Sequence, residues 1–299
     1  MLTSVQDLGR WGLQARGVPV AGPMDEYSHR LANRLVGNDP SAAALEVTLI
    51  GPEVQAIHDV VCVVAGASFG LTAGGARVSM NAPFRLRAGT LLRFGDRLRG
   101  ARATLAVGGG IAVEATLGSR AMSLIARMGP FDGRPLRTGD LLPIGDEVSH
   151  RPAEKPIAPL ALPAGGARVR VLPGPHAEMF TPAAYETLCH GRYTITPQSN
   201  RMGYRLDGPR LTHRGAADIL SDATAIGSIQ VPASGQPILL MADRQTTGGY
   251  PKIATVIGAD LPLAGQLAPG DWIEFKPCTR SEAHAAARER FGPFLGSFR

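Results

Sequence analysis

Residues 221–250 constrain the fold more than any other stretch. Two short apolar runs, 228–231 and 238–242, flank Pro232 and Gly235. Runs of that length on either side of a proline–glycine turn read as a β-hairpin and not as a helix. The second run empties into Asp243, Arg244, Gln245, Thr246 and Thr247, followed by Gly248 and Gly249. Polar side chains at a strand exit, beside glycines that let backbone approach a bound group, are how a rigid sheet presents a polar site. The competing reading is a hairpin whose polar groups merely satisfy one another.

The rest of the chain agrees with a β architecture. Its 37 glycines and 24 prolines are spread from end to end, which suits many short strands joined by tight turns. Strands are expected at 45–50, 60–65, 76–80, 90–94, 104–107 and 169–172. Three helices interrupt them. One starts at Asp25, whose carboxylate caps the first amides, and stops at Gly37-Asn38. One follows Thr181-Pro182 to about Cys189. The last, 281–290, follows Thr279 and Glu282 at capping-box spacing. The polar opening, from Ser4 to Gly12, is a poor helix. The stretch 148–167, with Pro152, Pro156 and Pro163, is the best linker. It divides the chain into an N-terminal β-barrel-like half (1–160) with one early helix, a C-terminal half (161–278), and a helix with an aromatic tail (279–299).

Several functions are excluded. A net charge of +6 would suit nucleic acid, but the arginines are scattered and no basic block carries interleaved aromatics. No apolar run approaches the roughly 20 residues of a membrane span. The opening lacks the apolar core of a signal peptide, so a cytoplasmic protein with no membrane association is expected. Cys62, Cys189 and Cys278 lie far apart, which indicates neither a disulfide framework nor zinc. The histidines show no metal spacing; His58, His176, His190 and His213 read as incidental. Gly108-Gly109-Gly110 lacks the lysine of a phosphate loop. Gly66-Ala67-Ser68-Phe69-Gly70 fits the nucleophile-elbow pattern, but a turn and not a helix follows it, so it reads as a small-residue hairpin turn.

Longer motifs carry a resemblance. Val5-Gln6-Asp7-Leu8-Gly9-Arg10, Gly22-Pro23-Met24-Asp25, Ala32-Asn33-Arg34-Leu35-Val36-Gly37-Asn38 and Leu45-Glu46-Val47-Thr48 are four of them. Leu117-Gly118-Ser119-Arg120, Ser199-Asn200-Arg201-Met202-Gly203-Tyr204 and Asp243-Arg244-Gln245-Thr246-Thr247-Gly248-Gly249-Tyr250 are three more. Together they resemble the biotin-dependent carboxyltransferase family, which includes the C subunit of 5-oxoprolinase, allophanate hydrolase subunit 2 and the carboxyltransferase part of urea amidolyase. The start looks a few residues short of the family's usual one, so a clipped first strand is expected. The resemblance implies a mainly β chain with a few helices, built as two cyclophilin-like β-barrel halves. A faint echo between 84–94 and 263–275 points the same way. It also implies a subunit of a 5-oxoprolinase-type or urea-carboxylase-like carboxyltransferase assembly acting on a small amide, urea or lactam. The partner implied is a chain like the B subunit of 5-oxoprolinase or like allophanate hydrolase subunit 1, with the A subunit of 5-oxoprolinase or a biotin carboxylase beyond it. There is no Met-Lys-Met biotinyl site, so carboxybiotin would be delivered by a partner. No ATP motif is visible, so ATP, if used, belongs to a partner subunit. The serine-rich amidase signature is absent. The alternative is a non-catalytic regulatory subunit that antagonises a kinase-inhibitor partner.

Carboxyl transfer needs groups that hold a carbonyl or carboxylate and stabilise an oxyanion. Arg244, Gln245 and Gln230 suit the catalytic part. Tyr204 and Tyr250 can stack or donate, Thr247 can hydrogen-bond substrate, and Arg201 can clamp a carboxylate through both arms of its fork. Gln6, Asp7 and Arg10 form a second polar group for substrate binding. For Arg201 the alternative is a loop brace; for Gln6, Asp7 and Arg10 it is a structural salt bridge. The tail, with Phe291, Phe294 and Phe298, has no core of its own. It is expected to dock on the barrel or, as the family's paired subunits favour, in a partner, with the substrate pocket in a cleft between halves or chains.

Overall fold

The computed structural model describes residues 2–146 and 156–295. The start of the linker, 148–155, and the last phenylalanine, Phe298, lie outside them. The chain divides into two compact units. One contains 1–10 and 21–162; the other contains 11–20 and 163–299. Residues 11–20, which sequence order assigns to the first half, therefore belong to the second unit. So does the C-terminal helix, expected to stand apart. Its Ala283 and Ala286 pack on Ile257 and Ala259 with Leu172 alongside.

In the first unit the strands are β1 (Leu2–Gln6), β2 (Ala44–Thr48), β3 (Glu53–Gln55), β4 (Val60–Ala73), β5 (Ala76–Val78), β6 (Phe84–Leu86) and β7 (Leu91–Val107). They form one sheet of order β1-β2-β7-β4-β5, with β3 on β7 and β6 on β4. No pair closes it into a barrel among the described residues. The loop expected at the start is partly a strand, because Thr3, Val5 and their neighbours pair with β2 and are buried. The expected turn at Gly66–Gly70 is also absent. These residues stay inside β4, where Ser68 faces Arg99 across the ladder and the register shifts three times between Gly66 and Leu71. Bulges take up the glycines and bend the strand without ending it; the reversal comes later, at Gly74 and Gly75. Likewise 90–94 and 104–107, read as two strands, are the ends of the one long β7.

Helix α1 (Glu26–Val36) lies against β4 and β7. The Asp25 carboxylate accepts from Ser28 N at 2.9 Å, and Gly37 ends the helix at φ 88°, a conformation that costs glycine least. Leu31 and Ala32 are fully buried. The sheet core gathers Val5, Leu45, Val64, Phe69, Leu92 and Leu105. A last short element of this unit, α2 (Pro130–Gly133), holds Phe131 and Asp132 in left-handed conformations.

The second unit contains β8 (Gly166–Pro173), α3 (Pro182–His190), β9 (Arg192–Ile195), β10 (Gly203–Asp207), β11 (Asp222–Ala223), β12 (Ser228–Gln230) and β13 (Ile238–Leu240). After these come β14 (Thr247–Gly248), β15 (Lys252–Val256), α4 (Leu261–Gly265), β16 (Trp272–Pro277) and α5 (Arg280–Leu295). Seven strands close as β10-β13-β12-β15-β8-β16-β9, with β11 and β14 paired separately. Closure removes the exposed edges that an open sheet must protect. Val169, Tyr193, Ile229, Leu239, Ile253 and Phe275 fill it at 0% exposure.

The focal hairpin is present: Ile229 faces Leu239, and Gly235 N closes its turn on Pro232 O at 2.9 Å. The capping box is also present. Glu282 N donates to Thr279 Oγ1 at 3.2 Å, and Thr279 N donates back to Glu282 Oε2 at 2.7 Å. The helix continues past 290, through Pro293, to Leu295. Phe294 is buried within this chain, so that part of the tail docks at home and gives no reason to seek a partner for it.

Candidate functional site

The sequence-predicted residues separate into two groups of different character. In the first unit, Gln6 is fully buried and uses both ends of its amide. Its Nε2 donates to Ser4 Oγ (3.0 Å) and Met122 O (3.1 Å), and its Oε1 accepts from Gly22 N (3.1 Å). Asp7 accepts from Gly9 N (2.9 Å), Ser119 Oγ (2.6 Å) and Arg120 N (2.5 Å). Arg10 donates to the carbonyls of Thr116 (3.2 Å) and Ala121 (2.6 Å). These three side chains fasten the Leu117-Gly118-Ser119-Arg120 loop. Most of these bonds go to backbone groups.

The triple glycine is explained in the same way. Gly108 N donates to Val61 O (2.8 Å), Gly109 N to Asn38 Oδ1 (2.9 Å) and Gly110 N to Val107 O (2.8 Å). No amide of the three remains for a phosphate. A side chain on Gly109 would collide with Gly145 O.

In the second unit the hairpin places the predicted residues as follows. Arg201 does clamp a carboxylate, but its own: Nε and Nη2 each donate to Asp243 at 3.0 Å, with the side chains 5% and 1% exposed. Tyr204 is buried in the barrel and donates to Leu267 O at 3.3 Å. Thr247 lies exposed on β14, opposite Ala223. Tyr250 is 41% exposed.

Gln230 and Gln245 come together, and Thr224 links Arg244 to them. Gln245 Nε2 donates to Gln230 Oε1 at 3.2 Å, which turns the Gln230 NH2 the other way. That nitrogen is buried and has no hydrogen-bond partner. Gly248 makes room for it: a Cβ there would sit 2.5 Å from Gln230 Nε2 and 3.1 Å from Gln245 Nε2. Thr224 holds the cluster from the side. Its O accepts from Arg244 Nε at 3.1 Å, and its hydroxyl donates to Gln245 O. Arg244 is 6% exposed, and among the described residues no carboxylate pairs with it. Burial alone pulls its guanidinium below the usual arginine range. A buried cation without a counter-charge is costly, and an incoming anion or polarised carbonyl relieves that cost.

Three neighbours escaped the sequence reading. Lys252, 1% exposed on β15, donates from Nζ to Asp222 Oδ2 at 2.7 Å. That bond, ahead of all other causes, lowers the Asp222 carboxyl below the usual carboxylate range. His176, taken as incidental, lies with Nε2 3.9 Å from the same oxygen. Composition held a signal for Lys252: it is one of three lysines, and it opens the apolar strand Lys-Ile-Ala-Thr-Val. Among the described residues no His/Cys/Asp/Glu group could hold a metal, and no helix is long and apolar enough to cross a membrane. A depression of about 480 Å³ in the first unit, lined by Glu114, Thr116, Phe131 and Asp132 among others, contains none of the predicted residues.

A closed barrel whose hairpin ends in an unpaired guanidinium and an aimed amide fits the chemistry of carboxyl and carbonyl groups, and comparison with known proteins gives the class. Residues 16–277 match the family model for the carboxyltransferase domain, subdomain A and B; the chain belongs to that family. It is 38% identical to the C subunit of the 5-oxoprolinase of Escherichia coli (strain K12), over 97% of this chain and 93% of that protein. It is 33% identical to the urea amidolyase of Saccharomyces cerevisiae, over 92% of this chain and 16% of that one. The crystal structure of the K. lactis urea amidolyase superposes with a TM-score of 0.92 at 31% identity, covering 98% of this chain and 19% of that chain. This chain thus matches nearly the whole length of the oxoprolinase relative and a small part of the urea amidolyases.

Proposed function

We propose that this chain is a subunit of a cytoplasmic 5-oxoprolinase-type or urea-carboxylase-like carboxyltransferase assembly, and that Arg244, Gln230 and Gln245 bind the carbonyl or carboxylate of a small amide, urea or lactam. The observation that carries this reading is the buried guanidinium of Arg244 without a carboxylate partner, in a cluster with the unpartnered Gln230 NH2. Two such donors stabilise the oxygen on which charge builds as an amide is attacked or a carboxyl group passes over. Arg201, fixed on Asp243, holds the strand exit. The same donors suit the carboxylate of carboxybiotin, which a partner chain would deliver; the group supplies an activated carboxyl when bound. ATP, if the assembly uses it, is bound by a partner subunit.

The test is co-expression with a chain like the B subunit of 5-oxoprolinase, followed by assays of 5-oxoproline cleavage and urea carboxylation. Arg244→Ala with Gln245→Ala is expected to lower turnover by about 10²–10³-fold, the range for loss of an oxyanion donor. Full activity in that double variant removes the site assignment. A complex that binds no small amide or lactam by calorimetry at millimolar concentration favours the regulatory alternative.

A further inference from the structure

Lys252 faces Gln230 directly across the β12–β15 ladder, so the two side chains leave the same face of the sheet. Its ammonium has three N–H groups and makes one hydrogen bond, to Asp222. Asp222 in turn lies opposite Gly248 in the β11–β14 pair, and Gly248 abuts the Gln230 amide. Gln230, Gly248, Asp222 and Lys252 therefore form a closed circuit of neighbours around one spot. The circuit holds a buried ammonium with unused donors and a buried NH2 with none of its donors used. His176 completes it. Lys252 N donates to His176 Nδ1 at 3.4 Å, which leaves the ring proton on Nε2, facing Asp222.

We infer that Lys252 is the proton donor of this site, that Asp222 positions its ammonium and returns its proton, and that His176 orients Asp222. The inference rests on the amide-binding reading above and adds the group that completes C–N cleavage. Water forms the new C–O bond at the carbonyl carbon held by Arg244 and Gln230. The C–N bond breaks, its electron pair goes to nitrogen, and nitrogen takes a proton from Lys252 Nζ. Asp222, whose side chain is half exposed, accepts the proton released by the attacking water and passes it to the Lys252 amine 2.7 Å away.

Calorimetry with 5-oxoproline and with urea, and steady-state turnover, are compared for the co-expressed wild-type complex and for the K252R, K252M and D222N complexes. Arginine keeps the charge and the donors but does not release its proton near neutral pH. K252R is therefore expected to bind as wild type while kcat falls by ~10²-fold or more, the usual worth of a positioned acid. K252M is expected to lose affinity as well. It should still fold, because the Asp222 carboxylate left behind reaches water. D222N is expected to lower kcat with little change in KM, and it decides the matter if K252R fails to co-purify. Wild-type kcat in K252R, or in D222N, overturns the proposal, as does wild-type binding and turnover in K252M. Those results leave the amide-binding reading standing. A wild-type complex that binds neither probe overturns both.

Discussion

Two polar groups, one around Gln6 and Asn38 in the first unit and one around Gln230 and Arg244 in the second, differ in whether their side chains are bonded. In the first unit Gln6, Asp7, Asn33 and Asn38 have their hydrogen-bonding groups met within the fold, largely by main chain. Asn38 alone joins Asn33 Oδ1, Val107 O and Gly109 N, which locks the end of α1 to the turn after β7. In the second unit Arg201 and Asp243 satisfy each other by an ion pair, and beside it Arg244, Gln230 and Lys252 keep donors without partners. Buried polar groups that are satisfied fix a structure. Buried donors that are not satisfied cost stability, and a ligand that accepts from them relieves that cost. A motif in the chain can thus brace the fold or leave donors open to a ligand.

The comparison predicts a graded series. The largest effect belongs to Arg201→Met. It strands the Asp243 carboxylate, 1% exposed, and should cost about 3–5 kcal/mol in chemical denaturation, as breaking a buried ion pair does. A loss below about 1 kcal/mol would show that the pair is not a structural clamp. Next comes acid. Burial pulls His29 from 6.5 down to about 4. The unfolded chain therefore takes up a proton that the native state refuses as pH falls below 6.5. The stability present above pH 6.5 is lost progressively down to about pH 4, in total about 3 kcal/mol. His29→Gln, measured against wild type at pH 7 and pH 4.5, should flatten that slope; an unchanged slope would mean that His29 is not the group responsible.

Asn38→Ala should cost about 1–3 kcal/mol by leaving bonded groups unsatisfied. It should leave kcat of the co-expressed complex unchanged, since Asn38 braces and does not bind. A fall in kcat with no fall in melting temperature would break the comparison from the first unit's side. The smallest expected change in stability is that of Arg244→Met. It strands no carboxylate and removes an uncompensated charge, so the denaturation midpoint should hold or rise while turnover collapses. A destabilisation like that of Arg201→Met would show that Arg244, too, is structural.

Local chemistry was legible without a structure. The Asp25 cap, the Gly37 stop, the Thr279/Glu282 box and the Pro232/Gly235 hairpin each depend on a few adjacent residues, and each appears where the residues call for it. Gly66 and Gly70 misled because glycine serves bulges as well as turns, and the choice was made by pairing with β7, some thirty residues away. Residues 11–20 and α5 were misplaced for the same reason, since membership of a packed unit is decided by contacts that sequence order does not encode.

The candidate site divides along the same line. The crowd of polar groups after the hairpin, and its likeness to the carboxyltransferase family, could be read directly. That Arg201 would find Asp243 while Arg244 found no acid could not be read. Nor could the meeting of Lys252 with Asp222, thirty positions away. By itself the sequence determined the mainly β character, the caps and turns, the family, and the stretch where chemistry gathers, because these follow from local conformational preference and motif identity. The tertiary structure alone decided which buried donors are satisfied. A donor is satisfied or not according to the acceptors that fold to within hydrogen-bond reach, and those come from distant strands.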